Sequence, residues 1–244
     1  MPLFSPGPVL LGHRGNGRGP QENTAAAFRR GLDAGLTWLE SDVRATGDGT
    51  LVVAHGPADE TGRLYDDLTG EGCRSDGVLL LDDLLELVPP GIGLDLDVKS
   101  SVEDALRPRT ATTAALLGPV AARLAAERPV LVTSFDPAAL LVVRETAPGV
   151  PLGLLTWITF PLRKAVPAAV HLGCAVVAAH TSSFFPRNTA QRSPAEVVGV
   201  AHEAGLEVMA WCPGADDAPA LAALGVDALC VDDVPGVAAA LDPA

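Results

Sequence analysis

Two histidines between Gly12 and Gly56 bracket a run that closes on Glu40-Ser41-Asp42. Successive side chains of an extended strand point to opposite faces, so Glu40 and Asp42 share a face while Ser41 points away. Two carboxylates on one face form an oxygen donor set suited to a hard divalent cation such as Mg²⁺ or Ca²⁺. His13, in Gly12-His13-Arg14-Gly15, and His55, closing Leu51-Val52-Val53-Ala54-His55, can supply a proton acceptor and a proton donor near neutral pH. Arg14 is suited to an anionic oxygen. The set describes metal-assisted chemistry on an anion, most simply a phosphate ester.

Five elements, His13-Arg14-Gly15, Gln21-Glu22-Asn23-Thr24, Glu40-Ser41-Asp42-Val43, Asp48-Gly49 and Leu51-Val52-Val53-Ala54-His55, stand in an order and spacing that resemble the signature of the glycerophosphodiester phosphodiesterase family. Looser matches follow at Thr133-Ser134-Phe135-Asp136, Val208-Met209-Ala210-Trp211 and from Gly225 to Pro235, so the resemblance runs along nearly the whole chain. It implies a divalent metal ion held by Glu40, Asp42 and a third carboxylate, with His13 and His55 as the proton-transfer pair. It also implies that a hydroxyl of the glycerol attacks first, giving a cyclic phosphate that water later opens. Which histidine acts as acid stays open at this level.

The third carboxylate is where the chain departs from the family it resembles. The family usually carries Glu-x-Lys where this chain has Asp97-Val98-Lys99, within an alternating run that puts Asp95, Asp97 and Lys99 on one face. Asp shortens the arm by one methylene, roughly 1.5 Å. Asp97 is therefore the expected third ligand and Asp95, deeper along the run, the fallback. Gly56 stands where the family commonly has Asp, and Gln21 where it has Pro, although Pro20 adjoins it. Arg14 and Lys99 are expected to clamp the phosphate, Trp211 to wall the pocket, and Glu22 to pair with Arg14 and shape the loop.

Positioning these groups requires a scaffold, and the hydrophobic pattern supplies one. Eight apolar runs, at 9–12, 38–43, 92–98, 129–134, 151–155, 175–178, 206–211 and 227–231, alternate with helical patterns such as 24–34, 110–128, 137–147, 194–204 and 215–224. Eight repeats of strand then helix, with strands apolar enough for burial on both faces, predict an α/β fold, a (β/α)8 TIM barrel. Catalytic groups of such barrels sit at the C-terminal strand ends. His13, Glu40, Asp42, Asp97, Lys99 and Trp211 all fall there. The interval from 44 to 91 breaks the rhythm. Its extra apolar run at 51–54 and loop-like stretch 56–78 read as a small insertion after the second strand, at about 56–80, within a single domain spanning 1–244.

Composition narrows the partners. The 244 residues carry a net charge of −13, which argues against nucleic acid or an anionic membrane, since such partners need clustered Lys and Arg. No apolar run approaches the roughly 20 residues needed to span a bilayer, and residues 1–8 lack the features of a secretory signal. Cys73, Cys174, Cys212 and Cys230 form no C-x-x-C pair and read as reduced thiols, so a cytoplasmic protein is expected. His171, His180 and His202 read as structural or surface groups. Gly15, Gly17 and Gly19 lack the spacing of a dinucleotide fingerprint.

The favoured expectation is a metal-dependent phosphodiesterase acting on a small-molecule glycerophosphodiester, releasing glycerol phosphate and an alcohol. A lysophospholipase D-like enzyme on the same barrel is the alternative, because related venom phospholipases of the D type use Asp at the third metal position. A larger apolar surface at the mouth would favour that reading, and Phe160, Phe184 and Phe185, in candidate loops, are the residues to check for it. A catalytically silent phospholigand-binding barrel is a third reading, disfavoured by the retained histidines and carboxylates. Head group, choice of metal and oligomeric state stay open.

Overall fold

The computed structural model describes residues 2–5, 7–17, 21–185 and 192–242. Its strands are β1 (Val9–Gly12), β2 (Trp38–Ala45), β3 (Leu51–Val53), β4 (Gly93–Val98), β5 (Val130–Ser134), β6 (Leu152–Thr156), β7 (Val176–His180), β8 (Glu207–Trp211) and β9 (Ala228–Val231). All but β3 are parallel to their neighbours and run β1-β2-β4-β5-β6-β7-β8-β9, and the β1–β9 pairing closes the ring. The result is the expected closed eight-stranded parallel barrel. β3 stands outside it, antiparallel to the far end of β2.

Two apolar layers hold the barrel. Inside it lie Leu11, Trp38, Leu131, Leu155, Val176, Ala178, Met209, Ala228 and Cys230, with Phe4 plugging the lower end against Trp38 at a ring distance of 5.1 Å. Glu207 fixes that plug by accepting from the Leu3 and Phe4 amides at 2.7 and 2.8 Å. Gly93 is required at the same level, because a Cβ there would overlap the Trp38 ring. The alternate residues of each strand, such as Leu39, Val43, Leu94, Leu96, Val130 and Val132, face the helices. Burial on both faces is what the unbroken apolar runs encode.

The helices are α1 (Ala25–Asp33), α2 (Gly70–Ser75), α3 (Leu81–Leu87), α4 (Thr113–Ala125), α5 (Pro137–Thr146), α6 (Leu162–His171), α7 (Pro194–Glu203), α8 (Ala218–Ala223) and α9 (Val234–Leu241). Local chemistry starts them. Thr24 accepts from the Ala27 amide, Asp136 from Ala138 ahead of Pro137, and Ser193 with Glu196 forms a capping box. The 56–78 stretch is less loop-like than expected, since it contains a 3-10 turn at Tyr65–Asp67 and α2. Asp48 of the Asp48-Gly49 element has a structural task here. It accepts from the Thr46 hydroxyl at 2.6 Å and from the first amide of α2, Gly70, at 3.1 Å, tying the hairpin to the insertion. Gly19 and Pro20 lie outside the described residues.

Candidate active site

The C-terminal ends of β1, β2, β4, β5 and β8 open onto a cavity of about 540 Å³, lined among others by His13, Arg14, Glu40, Asp42, His55, Asp97, Lys99 and Trp211. The parallel register explains the convergence, because Glu40 pairs with Asp95 and Asp42 with Asp97 across β2 and β4. Four carboxylates therefore face one interior at two levels. At these levels Glu40, Asp42 and Asp97 each bring an oxygen within 4.8 Å of the others, all three being buried. Asp95 instead accepts from the Thr133 hydroxyl at 2.8 Å.

Cations and amides surround the three carboxylates. Glu40 Oε2 accepts from the Arg14 amide at 2.7 Å, which needs Arg14 in the left-handed region at φ 51°. Asp42 meets Lys99 Nζ at 2.7 Å and Arg14 Nε at 3.2 Å, and accepts from Asn23 Nδ2 at 2.7 Å. Lys99 also pairs with Asp97. Arg14 Nη1 bonds Glu22 at 2.7 Å, the expected pairing. Asn23, at φ 55°, is not the cap of α1; Thr24 takes that role and leaves the amide of Asn23 for Asp42.

These contacts set the charges apart. Burial, reinforced by Asp42, pushes Glu40 up to about 7. Burial pushes Asp97 up to about 6 against the pull of Lys99. Asp42 goes the other way, since Lys99 and Arg14 outweigh its burial and hold it below the usual carboxylate range. Asp97 Oδ1 is buried with no hydrogen-bond partner. An all-oxygen donor set in which two members resist ionisation and one oxygen is orphaned fits a hard divalent cation.

The histidines are set differently. Burial disfavours charge on His13, but a 2.6 Å hydrogen bond from its Nδ1 to Asp232 Oδ1, with Cys212 and Glu40 nearby, holds its pKa well above the ordinary value. Its Nε2 lies 4.0 Å from Glu40 Oε2. Burial lowers the pKa of His55 despite the field of Asp42. The backbone carbonyl of His55 is gripped by Arg44 at 2.9 Å, which anchors the loop that carries the ring.

An apolar wall completes the cavity. Phe135 stacks on Trp157 at 4.6 Å and meets Trp211 edge-on at 5.7 Å, while Lys99 Nζ lies 5.5 Å from its ring centre. Trp211 also packs on His180 at 4.5 Å, and His202 bonds Asp227 at 2.9 Å. Of the three phenylalanines to be checked at the mouth, Phe184 is fully buried in the core and Phe160 and Phe185 do not line the cavity. Trp157 and Ile158 take their place, 68% and 59% exposed. Sequence reasoning also missed Asp232 and Cys212. Alternation along β9 could have found the first, since Asp232 continues the inward face of Ala228 and Cys230.

Comparison with known proteins points to one family. The model of the glycerophosphoryl diester phosphodiesterase family matches residues 13–235. A glycerophosphodiester phosphodiesterase of Caldanaerobacter subterraneus subsp. tengcongensis is 45% identical over 53 residues, a match that takes in 22% of this chain and only 21% of that relative. Among solved structures, a Silicibacter pomeroyi protein assigned as a glycerophosphoryl diester phosphodiesterase is 26% identical with TM-score 0.75, covering 98% of this chain and 95% of that one. An Oleispira antarctica phosphodiesterase, solved with its product sn-glycerol-3-phosphate, is 22% identical with TM-score 0.76 over 99% of this chain and 100% of that one.

Proposed function

The chain belongs to the glycerophosphoryl diester phosphodiesterase family, and on that premise we propose that it hydrolyses glycerophosphodiesters to glycerol phosphate and an alcohol. The observation that carries this reading is the buried trio Glu40, Asp42 and Asp97 beside two histidines in one cavity. Those carboxylates would hold one divalent cation, Mg²⁺ or Ca²⁺, consistent with a family that depends on metal. When bound, the ion neutralises the non-bridging oxygens of the diester and favours ionisation of an attacking hydroxyl.

The side chains do the rest. Arg14 and Lys99, held against the carboxylates, leave the site's positive charge next to the incoming phosphate. His55 takes the proton of the attacking hydroxyl. His13, whose Nδ1–H is anchored on Asp232, gives one to the leaving alkoxide. Opposed settings of two titratable groups are what an acid and base pair requires. Glu22 and Asn23 position Arg14 and Asp42 and transfer no proton. Trp211 and Phe135 wall the alcohol side.

A second reading draws on the exposed pair Trp157 and Ile158, an apolar lip that an acyl chain would contact, as on a lysophospholipid. Four unpaired thiols among the described residues support a reducing compartment such as the cytoplasm. No helix of the described residues is long and apolar enough to cross a membrane. The test is phosphodiester release after metal reconstitution, over a panel of glycerophosphodiesters and lysophospholipids. Glycerol phosphate released fastest from the water-soluble diesters supports the first reading, and faster turnover of lysophospholipids the second. No release from either with Mg²⁺ or Ca²⁺ refutes both.

A further inference from the structure

A second donor set sits on the opposite side of the His13 ring from the carboxylate trio. His13 Nδ1, Cys212 Sγ and Asp232 supply a nitrogen, a sulfur and an oxygen within 4.8 Å of one another. We propose that this trio is an inhibitory site for a borderline-soft divalent ion, Zn²⁺ above all, distinct from the hard-ion site. Thiolate and imidazole select such ions, whereas Mg²⁺ and Ca²⁺ take oxygen ligands.

The distances support tetrahedral coordination. Bonds of 2.0–2.3 Å to N, O and S place neighbouring ligand atoms about 3.4–3.6 Å apart. Cys212 Sγ already lies 3.7 Å from His13 Nδ1. The 2.6 Å gap from Nδ1 to Asp232 Oδ1 must open by about 0.8 Å to reach that spacing, a shift smaller than one bond length. The backbone that presents Cys212, at φ 53°, is fixed by the hydrogen bond from its amide to the Cys230 carbonyl at 2.9 Å. Both His13 and Cys212 line the cavity, so the ion has an entry path, and water fills the fourth position. Binding displaces the Nδ1 proton of His13 and the thiol proton of Cys212 to solvent.

Inhibition follows from that geometry. An ion on Nδ1 takes the place of the Asp232 hydrogen bond that orients the His13 ring, and it pins the ring away from the acid role proposed above. This consequence rests on the proposed function; the coordination does not. The experiment therefore has two arms on the full chain, with Mg²⁺ or Ca²⁺ saturating the carboxylate site.

In the first arm Co²⁺ is the probe, read by the thiolate-to-cobalt charge-transfer absorption. The wild type is expected to show that band at one equivalent, and Cys212→Ser and Cys212→Ala are expected to lack it. In the second arm, Zn²⁺ is expected to inhibit the wild type at a concentration at least tenfold below that needed for either variant, with no relief from excess Mg²⁺. Absence of the cobalt band in the wild type overturns the site. Equal zinc sensitivity of wild type and variants, or relief by Mg²⁺, overturns the inhibition. A band without any diester hydrolysis would leave the site standing and count against the proposed activity instead.

Discussion

The two halves of the barrel mouth are built from opposite materials. On the side of β1, β2 and β4 the cavity presents His13, Glu40, Asp42, Asp97 and Lys99, buried charges tied to one another by short contacts. On the side of β5 to β8 it presents Phe135, Trp157, Ile158 and Trp211, rings stacked on rings with Trp157 reaching into solvent. The first half is over-determined, because each carboxylate has a cation, an amide or another acid within reach, so its geometry tolerates little change. The second is held by packing. Under the proposed function, chemistry and selectivity are thereby separated in space.

Breaking the charged half should cost most. His13→Ala and His55→Ala are each expected to lower kcat by about 10²–10⁴, the usual contribution of a positioned acid or base, with metal affinity little changed. Steady-state kinetics beside calorimetric metal titration would show it. The two should also differ. An activated leaving group should rescue His13→Ala, because a good leaving group needs no proton, and should not rescue His55→Ala. Full activity of either variant on an unactivated ester would remove that residue from the mechanism.

The third carboxylate tests how tightly that half is fitted. Asp97 already brings an oxygen to the trio and pairs with Lys99, so the barrel is shaped around the shorter arm. Asp97→Asn is expected to weaken Mg²⁺ or Ca²⁺ binding at least tenfold, which is about 1.4 kcal/mol. Asp97→Glu is expected to weaken it as well, through crowding against Lys99. Tighter binding by the Glu variant would show that Asp is merely a tolerated shortening.

The pH response should sharpen the same contrast. In the metal-free protein Glu40 is raised from 4.5 to about 7 by burial and then by Asp42. A raised carboxylate binds its proton more tightly folded than unfolded, so its stabilising contribution is complete below pH 4.5 and is lost as pH climbs through 7. Stability of the metal-free protein relative to Glu40→Gln should fall over that window, as followed by thermal unfolding at several pH values. Metal affinity should rise over the same window, with proton release, because Glu40 and Asp97 must ionise to bind. A flat difference between wild type and Glu40→Gln would mean that Glu40 is not buried among like charges.

The smallest effect belongs to the apolar half. Trp157→Ala removes a ring stacked on Phe135 at 4.6 Å. It is expected to change kcat/KM among head groups by about two- to tenfold, the range of a 0.5–1.5 kcal/mol aromatic contact. kcat on a short-chain diester should stay the same. A large fall in kcat would show that the wall also positions the phosphate.

Much of this molecule could be read along the chain because its signals are local. Period-two alternation placed Glu40 and Asp42 on one face, apolar runs announced strands buried on both sides, and the helical patterns from 137 and 194 begin where α5 and α7 begin. Glu22 could be assigned to Arg14 because only eight positions separate them. What only the tertiary structure decided are contacts between distant strands. Closing the ring through β1 and β9 brings Asp232 and Cys212 to His13 across sequence separations of 219 and 199 residues. The register of β4 against β5 sets Asp95 opposite Leu131 and Asp97 opposite Thr133, yet the Thr133 hydroxyl reaches diagonally back to Asp95 at 2.8 Å and leaves Asp97 for the trio. Phe184 shows the same limit in reverse, since its position after β7 reads as a loop while packing draws its ring into the core. Alternation says which face a side chain takes, but the tilt and stagger of the closed barrel decide which neighbours wait there.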